Sequence, residues 1–231
     1  MPLVFSPLTE AVLDSTPKRL LPKHAFVMRQ LGEPPAIDQR MAVILGDIFE
    51  ARGFPIVDAD GSTGGKDFLE RIVGLIRCTG FTVAIFSHET RFTALANIML
   101  ELGFAAMCGK PTIIVKSAQA KAPSDISRTD WIIYDPEQEE NFRRKLGQAL
   151  DAIVELIGYE DTLLGVALDA RSIDCAVAFE RANKGYLLSG ERRFVDAAAA
   201  ILGRLDAAGE TATIGDLERL RSEITAFIRQ T

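Results

Sequence analysis

The centre of the sequence contains two short apolar runs, Phe81-Thr-Val-Ala-Ile-Phe86 and Thr112-Ile-Ile-Val115, on either side of a helical pattern over residues 93–108. Apolar runs of this length, separated by a helix, are typical of parallel strands that are buried beneath helices. Gly109-Lys-Pro111 is expected to end the helix, because glycine is favoured just after the end of a helix and proline cannot continue one. The sequence therefore predicts a strand–helix–strand unit.

The same alternation continues on both sides of this unit. Apolar runs predict further strands at 25–28, 55–57 and 131–134, and helical spacing of apolar residues predicts further helices over 37–49, 68–76 and 136–157. Five short strands that alternate with helices favour a flavodoxin-like parallel sheet in the order 2-1-3-4-5.

The periodicity changes after Gly158. Three amphipathic patterns follow, centred on Phe179, Ile201 and Ile224, and no strand pattern lies between them. We therefore divide the chain into an N-terminal arm (1–23), an α/β domain (24–157) and a C-terminal helical module (158–231) of three or four helices. The apolar faces of that module must pack on the α/β domain, on each other or on another subunit.

Composition limits the classes of partner. The chain has 231 residues, 26 basic and 32 acidic side chains, a net charge of −6 and 48% hydrophobic residues. This composition is that of a globular protein, and the lack of a basic block argues against nucleic-acid binding. No apolar run reaches the ~18 residues that span a bilayer, and the first residues do not resemble a signal peptide. We expect a cytoplasmic protein without a membrane or nucleic-acid partner.

Metal chemistry is not indicated. Cys78, Cys108 and Cys175 lie far apart, and His24 and His88 are the two histidines. No CxxC or Cys/His spacing suggests zinc, so we expect three reduced thiols and no metal.

Ligands of open parallel sheets bind beyond the carboxyl ends of the strands. Those ends correspond to the loops 29–35, 58–66, 87–92 and 116–127. They supply our candidate substrate-binding residues, which are Arg29, Gln30, Asp58, Ser87, Arg91 and Phe92.

The helix over 93–108 contains a single charged residue, Glu101, and its apolar composition predicts that it is buried on all sides. Asn97, one turn earlier, is the polar neighbour on the same stripe and a further candidate for substrate binding. A carboxylate in such surroundings is costly, so it is either functional or paired. The paired alternative is a structural ion pair with Arg29, Arg91 or Lys66.

The segment Asn97-x-x-x-Glu101-Leu-Gly-Phe-Ala105, followed by Gly109-Lys-Pro111 and a strand, resembles a helix signature of two related families. These are the nucleoside 2-deoxyribosyltransferases and the TIR-like domains, especially the bacterial ones. The resemblance covers roughly residues 24–157. Both families have a glutamate on this helix that faces the ligand.

The resemblance implies cleavage of an N-glycosidic bond, with Glu101 as the catalytic residue. It favours a TIR-like NAD glycohydrolase, in which NAD or another nucleotide is the substrate and no cofactor is needed. It also implies a homo-oligomer and a role in antiphage defence or signalling. The alternatives are a nucleoside 2-deoxyribosyltransferase and a nucleotide-binding or scaffolding module without turnover.

Overall fold

The computed structural model of the chain describes residues 19–59, 68–121, 131–169, 174–207 and 214–231. These residues form five strands and seven α-helices: β1 Leu21–Met28, α1 Ala36–Ala51, β2 Ile56–Val57, α2 Phe68–Cys78, β3 Thr79–Phe86, α3 Phe92–Met107, β4 Thr112–Ser117, β5 Trp131–Tyr134, α4 Glu139–Asp169, α5 Cys175–Ser189, α6 Arg192–Ala207 and α7 Ile214–Gln230.

The five strands form one parallel sheet in the order β2-β1-β3-β4-β5. The predicted α/β class, the flavodoxin-like strand order and the presence of a C-terminal helical module are therefore confirmed. Val83 of β3 pairs in register with Val27 of β1 and with Ile113 of β4. The three central strands are consequently level, and their carboxyl ends form one edge of the sheet.

Helices cover both faces of the sheet. Val27, Val83 and Val115 point to one face, where they pack with the apolar residues of α1 and α4. Phe26, Ala84 and Ile114 point to the other face, where they pack with α2 and α3. Because successive side chains of a strand alternate between faces, fully apolar strands need cover on both sides.

The helix that we predicted to end near residue 157 is longer than expected. The helix α4 runs to Asp169, so the boundary that the sequence suggested at Gly158 falls inside a helix of 31 residues, about 46 Å long. Gly158 does not interrupt the helix, and Leu164, beyond it, is buried in the core of the helical module. The continuous helix therefore belongs to both parts of the chain.

The helical module packs directly on the sheet through α5. A Cβ atom at Gly80 of β3 would lie 2.6 Å from the backbone oxygen of Leu187, so only glycine permits this approach. The next residue of α5, Leu188, is buried in the core beneath α1 and α4. The sheet and the helices α6 and α7 thus pack on α5 from different sides.

The N-terminal boundary also differs from the prediction. The strand β1 begins at Leu21, four residues earlier than expected, and therefore includes the last three residues of the predicted arm. The preceding residues 1–18 lie outside the described part of the chain.

Candidate functional site

The helix α3 has one buried side and one exposed side. Ile98 and Ala105 are fully buried against the sheet, whereas Phe92, Leu100 and Met107 are exposed. Our expectation of a helix buried on all sides is therefore wrong. The reason is geometric, because the sheet covers the inner side of α3 and none of the described helices covers the outer one.

Glu101 lies on the inner side, three residues after Ile98 and four before Ala105, and is partly buried there. Loss of hydration raises the pKa of its carboxyl group from 4.5 to about 7. Among the described residues, no side chain or backbone group forms a hydrogen bond or ion pair with it. The described residues therefore leave this partly dehydrated carboxyl group without compensation.

Two of the three cations that could have paired with Glu101 are engaged elsewhere. Arg29 forms an ion pair with Asp58, with 2.6 Å between Nη2 and Oδ2. Arg91 donates from Nη2 to the backbone oxygen of Gly32 at 2.8 Å. The third, Lys66, lies outside the described residues. The geometry thus excludes Arg29 and Arg91 as partners of Glu101 in a structural ion pair.

The loops after β1 and β3 are joined through Gln30. Its Oε1 accepts from the backbone N–H of Arg91 at 2.9 Å, and its Nε2 donates to the backbone oxygen of Glu33 at 2.8 Å. Gln30 is 2% exposed. Both ends of this candidate ligand are thus occupied in holding the two loops together.

Ser87 belongs to a second network at the same edge, which the sequence reasoning missed. Thr90 accepts from the backbone N–H of Ser87 at 2.7 Å and donates from Oγ1 to Asp38 Oδ2 at 2.8 Å. Asp38 is 1% exposed, and burial raises the pKa of its carboxyl group. Its other oxygen, Oδ1, is buried and has no hydrogen-bond partner among the described residues.

A signal for Asp38 was available in the sequence. It lies three residues before Met41 and seven before Leu45, both of which are fully buried in α1. An acid on the apolar stripe of a helix faces the core, as Glu101 does in α3. Asp38 was not among the candidate residues, so the network was not predicted.

The candidate residues separate into two groups. Gln30, Ser87 and Arg91 meet at the carboxyl edge, and the Arg29–Asp58 pair lies directly after the neighbouring strands β1 and β2. Glu101 is nine residues along α3 from Phe92, about 13.5 Å from the start of the helix. Asn97, one turn before Glu101, is exposed and forms no hydrogen bond with a described residue.

A groove of about 590 Å³ lies between α1 and the edge strand β2. Arg29 lines it together with Gln39, Val43, Asp47 and Glu50, whereas Glu101 does not. This groove is thus separate from the candidate catalytic carboxylate.

The structure also bears on metals, thiols and membranes. Within the described ranges, no group of three or more His, Cys, Asp or Glu side chains could hold a metal ion. The three cysteines are free, and Cys78 is buried. A search of the described helices found none with the length and apolar character that a membrane span requires.

Comparisons of the chain with protein-family models, with curated proteins and with solved structures returned no significant match.

Proposed function

We propose that the protein cleaves the N-glycosidic bond of a nucleotide and that its substrate is NAD. The observation that supports this proposal is Glu101, whose carboxyl group is partly buried, has a pKa of about 7 and has no cation or hydrogen-bond donor from the described residues. A substrate whose ribose develops positive charge next to this carboxylate would compensate it.

The chemistry needs one negative charge. The bond between the ribose C1′ and the nicotinamide nitrogen breaks, its electron pair leaves with the nicotinamide, and the ribose becomes an oxocarbenium ion. Ionised Glu101 stabilises that cation, and the low polarity of its surroundings strengthens the attraction. Water then adds to C1′ and loses a proton, which gives ADP-ribose, nicotinamide and H⁺.

NAD fits this arrangement better than a deoxynucleoside does. The nicotinamide of NAD is already cationic, so it leaves as a neutral molecule without being protonated. The base of a deoxynucleoside is neutral and needs a proton donor to leave readily. No hydrogen bond or ion pair joins Glu101 to a second titratable side chain of the described residues, which favours glycohydrolase activity over deoxyribosyl transfer.

A binding module without turnover is the second candidate. It is favoured by the engagement of Gln30 and Arg91 with backbone groups of the loops, because side chains used in this way are not free to orient a substrate. In such a module Glu101 would bind ribose hydroxyls, and the bound nucleotide would remain intact.

The test is to incubate the purified full chain with NAD at high protein concentration and to measure free nicotinamide by chromatography. We expect Glu101→Gln to lower the release by about 10²–10³-fold, the usual loss when one electrostatic stabiliser is removed. Glu155→Gln changes an exposed acid of α4 and is the matched control, for which release should be unchanged. Because only ionised Glu101 stabilises the cation, the rate should rise with pH through about 7.

The other outcomes are equally specific. Nicotinamide release that is equal in Glu101→Gln and in the parent protein would refute the role of Glu101. Exchange of bases between mixed deoxynucleosides, without release from NAD, would identify a transferase. Binding of NAD without any release would identify a binding module. The resemblance to TIR-like proteins supports activity in an assembled form, which is why the protein concentration must be high.

A further inference from the structure

The edge strand β2 has one side without a partner among the described strands. It pairs with β1 alone, and the backbone oxygen of Pro55 accepts from the N–H of Ala25 at 3.0 Å. Because the backbone groups of successive residues in a strand point to opposite sides, the N–H and C=O of Ile56 point away from β1. An edge of this kind is a template for pairing with a further strand.

The groove of about 590 Å³ between α1 and β2 runs beside this edge, and we call it the α1–β2 groove. Its wall on α1 includes Val43, Asp47 and Glu50. Intervals of four and three residues keep these side chains on one face of the helix. The floor is closed where α1 meets β2, since a Cβ atom at Gly46 would lie 3.7 Å from Cδ1 of Ile56. A side chain that enters from the edge therefore contacts α1.

The charge of the groove is negative. Asp47 and Glu50 are both exposed, and neither forms an ion pair or a hydrogen bond with a described residue. Arg29, the one cation among the described lining residues, is paired with Asp58. Beside the two acids, Val43 is 54% exposed and offers an apolar contact. An occupant that complements the groove therefore combines a positive charge with an apolar side chain.

The spacing of these groups fits an extended chain. Val43 and Asp47 are four residues apart on α1, which corresponds to a rise of about 6 Å along the helix. In a strand, side chains two residues apart point to the same face and are separated by ~6.6 Å. A strand beside β2 thus sets an apolar side chain at Val43 and a lysine or arginine, two residues away, at Asp47.

We propose that the α1–β2 groove binds an extended basic peptide, which pairs with Ile56 as a sixth strand of the sheet. The apolar side chain of the peptide contacts Val43, and its cationic side chain pairs with Asp47 and Glu50. Addition of a strand to an exposed sheet edge is a general mode of peptide recognition, in which backbone hydrogen bonds give affinity and side-chain pockets give specificity. The groove is separate from Glu101, so this inference does not depend on the proposed function.

The experiment titrates a fluorescently labelled heptapeptide amide, Thr-Lys-Thr-Val-Thr-Lys-Thr, with the full chain. A lysine lies two residues from the valine on each side, so the peptide fits in either direction along β2. Fluorescence anisotropy should show binding that weakens as salt is added. Because β2 has two residues, backbone pairing is limited, and we expect a dissociation constant between ~1 μM and ~1 mM.

Two altered peptides test the charge and the pairing separately. The peptide with glutamate in place of both lysines should not bind, because Asp47 and Glu50 repel it. The peptide with N-methyl groups on its five central residues keeps its charge but lacks the N–H groups that pair with the edge. It should bind at least tenfold more weakly than the parent peptide. Equal binding of the methylated peptide, or of the glutamate peptide, would overturn the proposal.

Two double variants of the protein test the position of the site. Asp47→Asn combined with Glu50→Gln should weaken binding of the lysine peptide at least fivefold. Glu140→Gln combined with Glu155→Gln removes the same charge from exposed positions of α4 and is the matched control, for which binding should be unchanged. Circular dichroism of each variant establishes that it has folded.

Two further results would contradict the inference. Equal weakening by the two double variants would mean that the peptide responds to net charge and not to the groove. A parent protein that binds no peptide at ~1 mM would mean that the edge of β2 does not accept a separate strand. The occupant of the edge would then be a segment of this chain or a second copy of it.

Discussion

Asp38 and Glu101 are two acids in similar positions with different surroundings. Each lies on the apolar stripe of a helix that packs on the sheet, and burial raises the pKa of each carboxyl group. Asp38 accepts a hydrogen bond from Thr90 and belongs to the network that fixes the loop after β3. Glu101 has no such donor among the described residues.

The difference shows that burial of an acid does not by itself identify a functional group. Polar neighbours convert a buried carboxyl group into part of the structure, as Thr90 does for Asp38. Without them, the cost of burial is not offset within the described fold, and such an uncompensated cost is characteristic of groups whose partner is a ligand. Removal of each group should therefore have opposite consequences for stability.

The largest stability effect is expected for Glu101→Gln, which should stabilise the protein in a pH-dependent manner. The pKa of Glu101 is about 7 in the fold and about 4.5 when it is unfolded, so the folded state binds more protons between these values. The contribution of this proton to the free energy of unfolding is fully present below pH 4.5, decreases as the pH rises to about 7 and is absent above it. Glutamine does not ionise, so the variant does not lose this stability.

The gain from Glu101→Gln should thus grow from near zero at pH 4.5 to at most about 3 kcal/mol above pH 7, since each pKa unit corresponds to 1.36 kcal/mol. Urea unfolding at several pH values measures the difference from the parent protein. For the Glu155→Gln control, the difference in stability from the parent protein should not change with pH. A variant that is less stable than the parent at pH 8 would mean that Glu101 has a stabilising partner.

A smaller effect of the opposite sign is expected for Thr90→Val. Valine has nearly the same shape but cannot donate to Asp38 or accept from the backbone N–H of Ser87. Two buried polar groups lose their partner, and the protein should be destabilised by about 2 kcal/mol. Thr93→Val, at an exposed position of α3, is the control and should change stability by less than ~0.5 kcal/mol. Equal effects for the two variants would show that the Asp38 network does not contribute to stability.

The smallest effect concerns Arg29 and Asp58. Their side chains are 23% and 24% exposed, so solvent screens the attraction between them. A double-mutant cycle with Arg29→Ala and Asp58→Ala should give a coupling energy below ~1 kcal/mol that decreases as salt is added. A larger coupling energy that does not depend on salt would mean that this pair, like Asp38, has a structural role and is not screened by solvent.

Much of the fold could be predicted because its signals are local. The five strands lie at the short apolar runs from which we predicted them, and the sheet order follows from their alternation with helices. Glu101 was identifiable for the same reason, since a single charge in the apolar segment 94–108 stands out in the sequence. In each of these signals, apolar residues recur with a period of two or 3.6 residues, and tertiary contacts stabilise the strand or helix that the period predicts.

The remainder depends on contacts between distant segments. The sequence cannot reveal that none of the described helices covers the outer side of α3, since an apolar helix is usually buried all round. It also cannot show that Gln30 connects two loops, because its partners Glu33 and Arg91 are brought together by the sheet. We predicted that α4 ends at Gly158, but the helix continues through this glycine. Its packing against α5 is a contact between distant segments that the sequence does not show.

The contact between Gly80 and Leu187 has a consequence for synthesis of the chain. The strand β3 is complete at Phe86, but the helix that lies against its first residues is made about a hundred residues later. While the ribosome is still extending the chain, the amino ends of β1 and β3 therefore lack their cover, and partly made chains expose apolar surface that favours aggregation. Chains that terminate before the end of α5 should therefore be prone to aggregate.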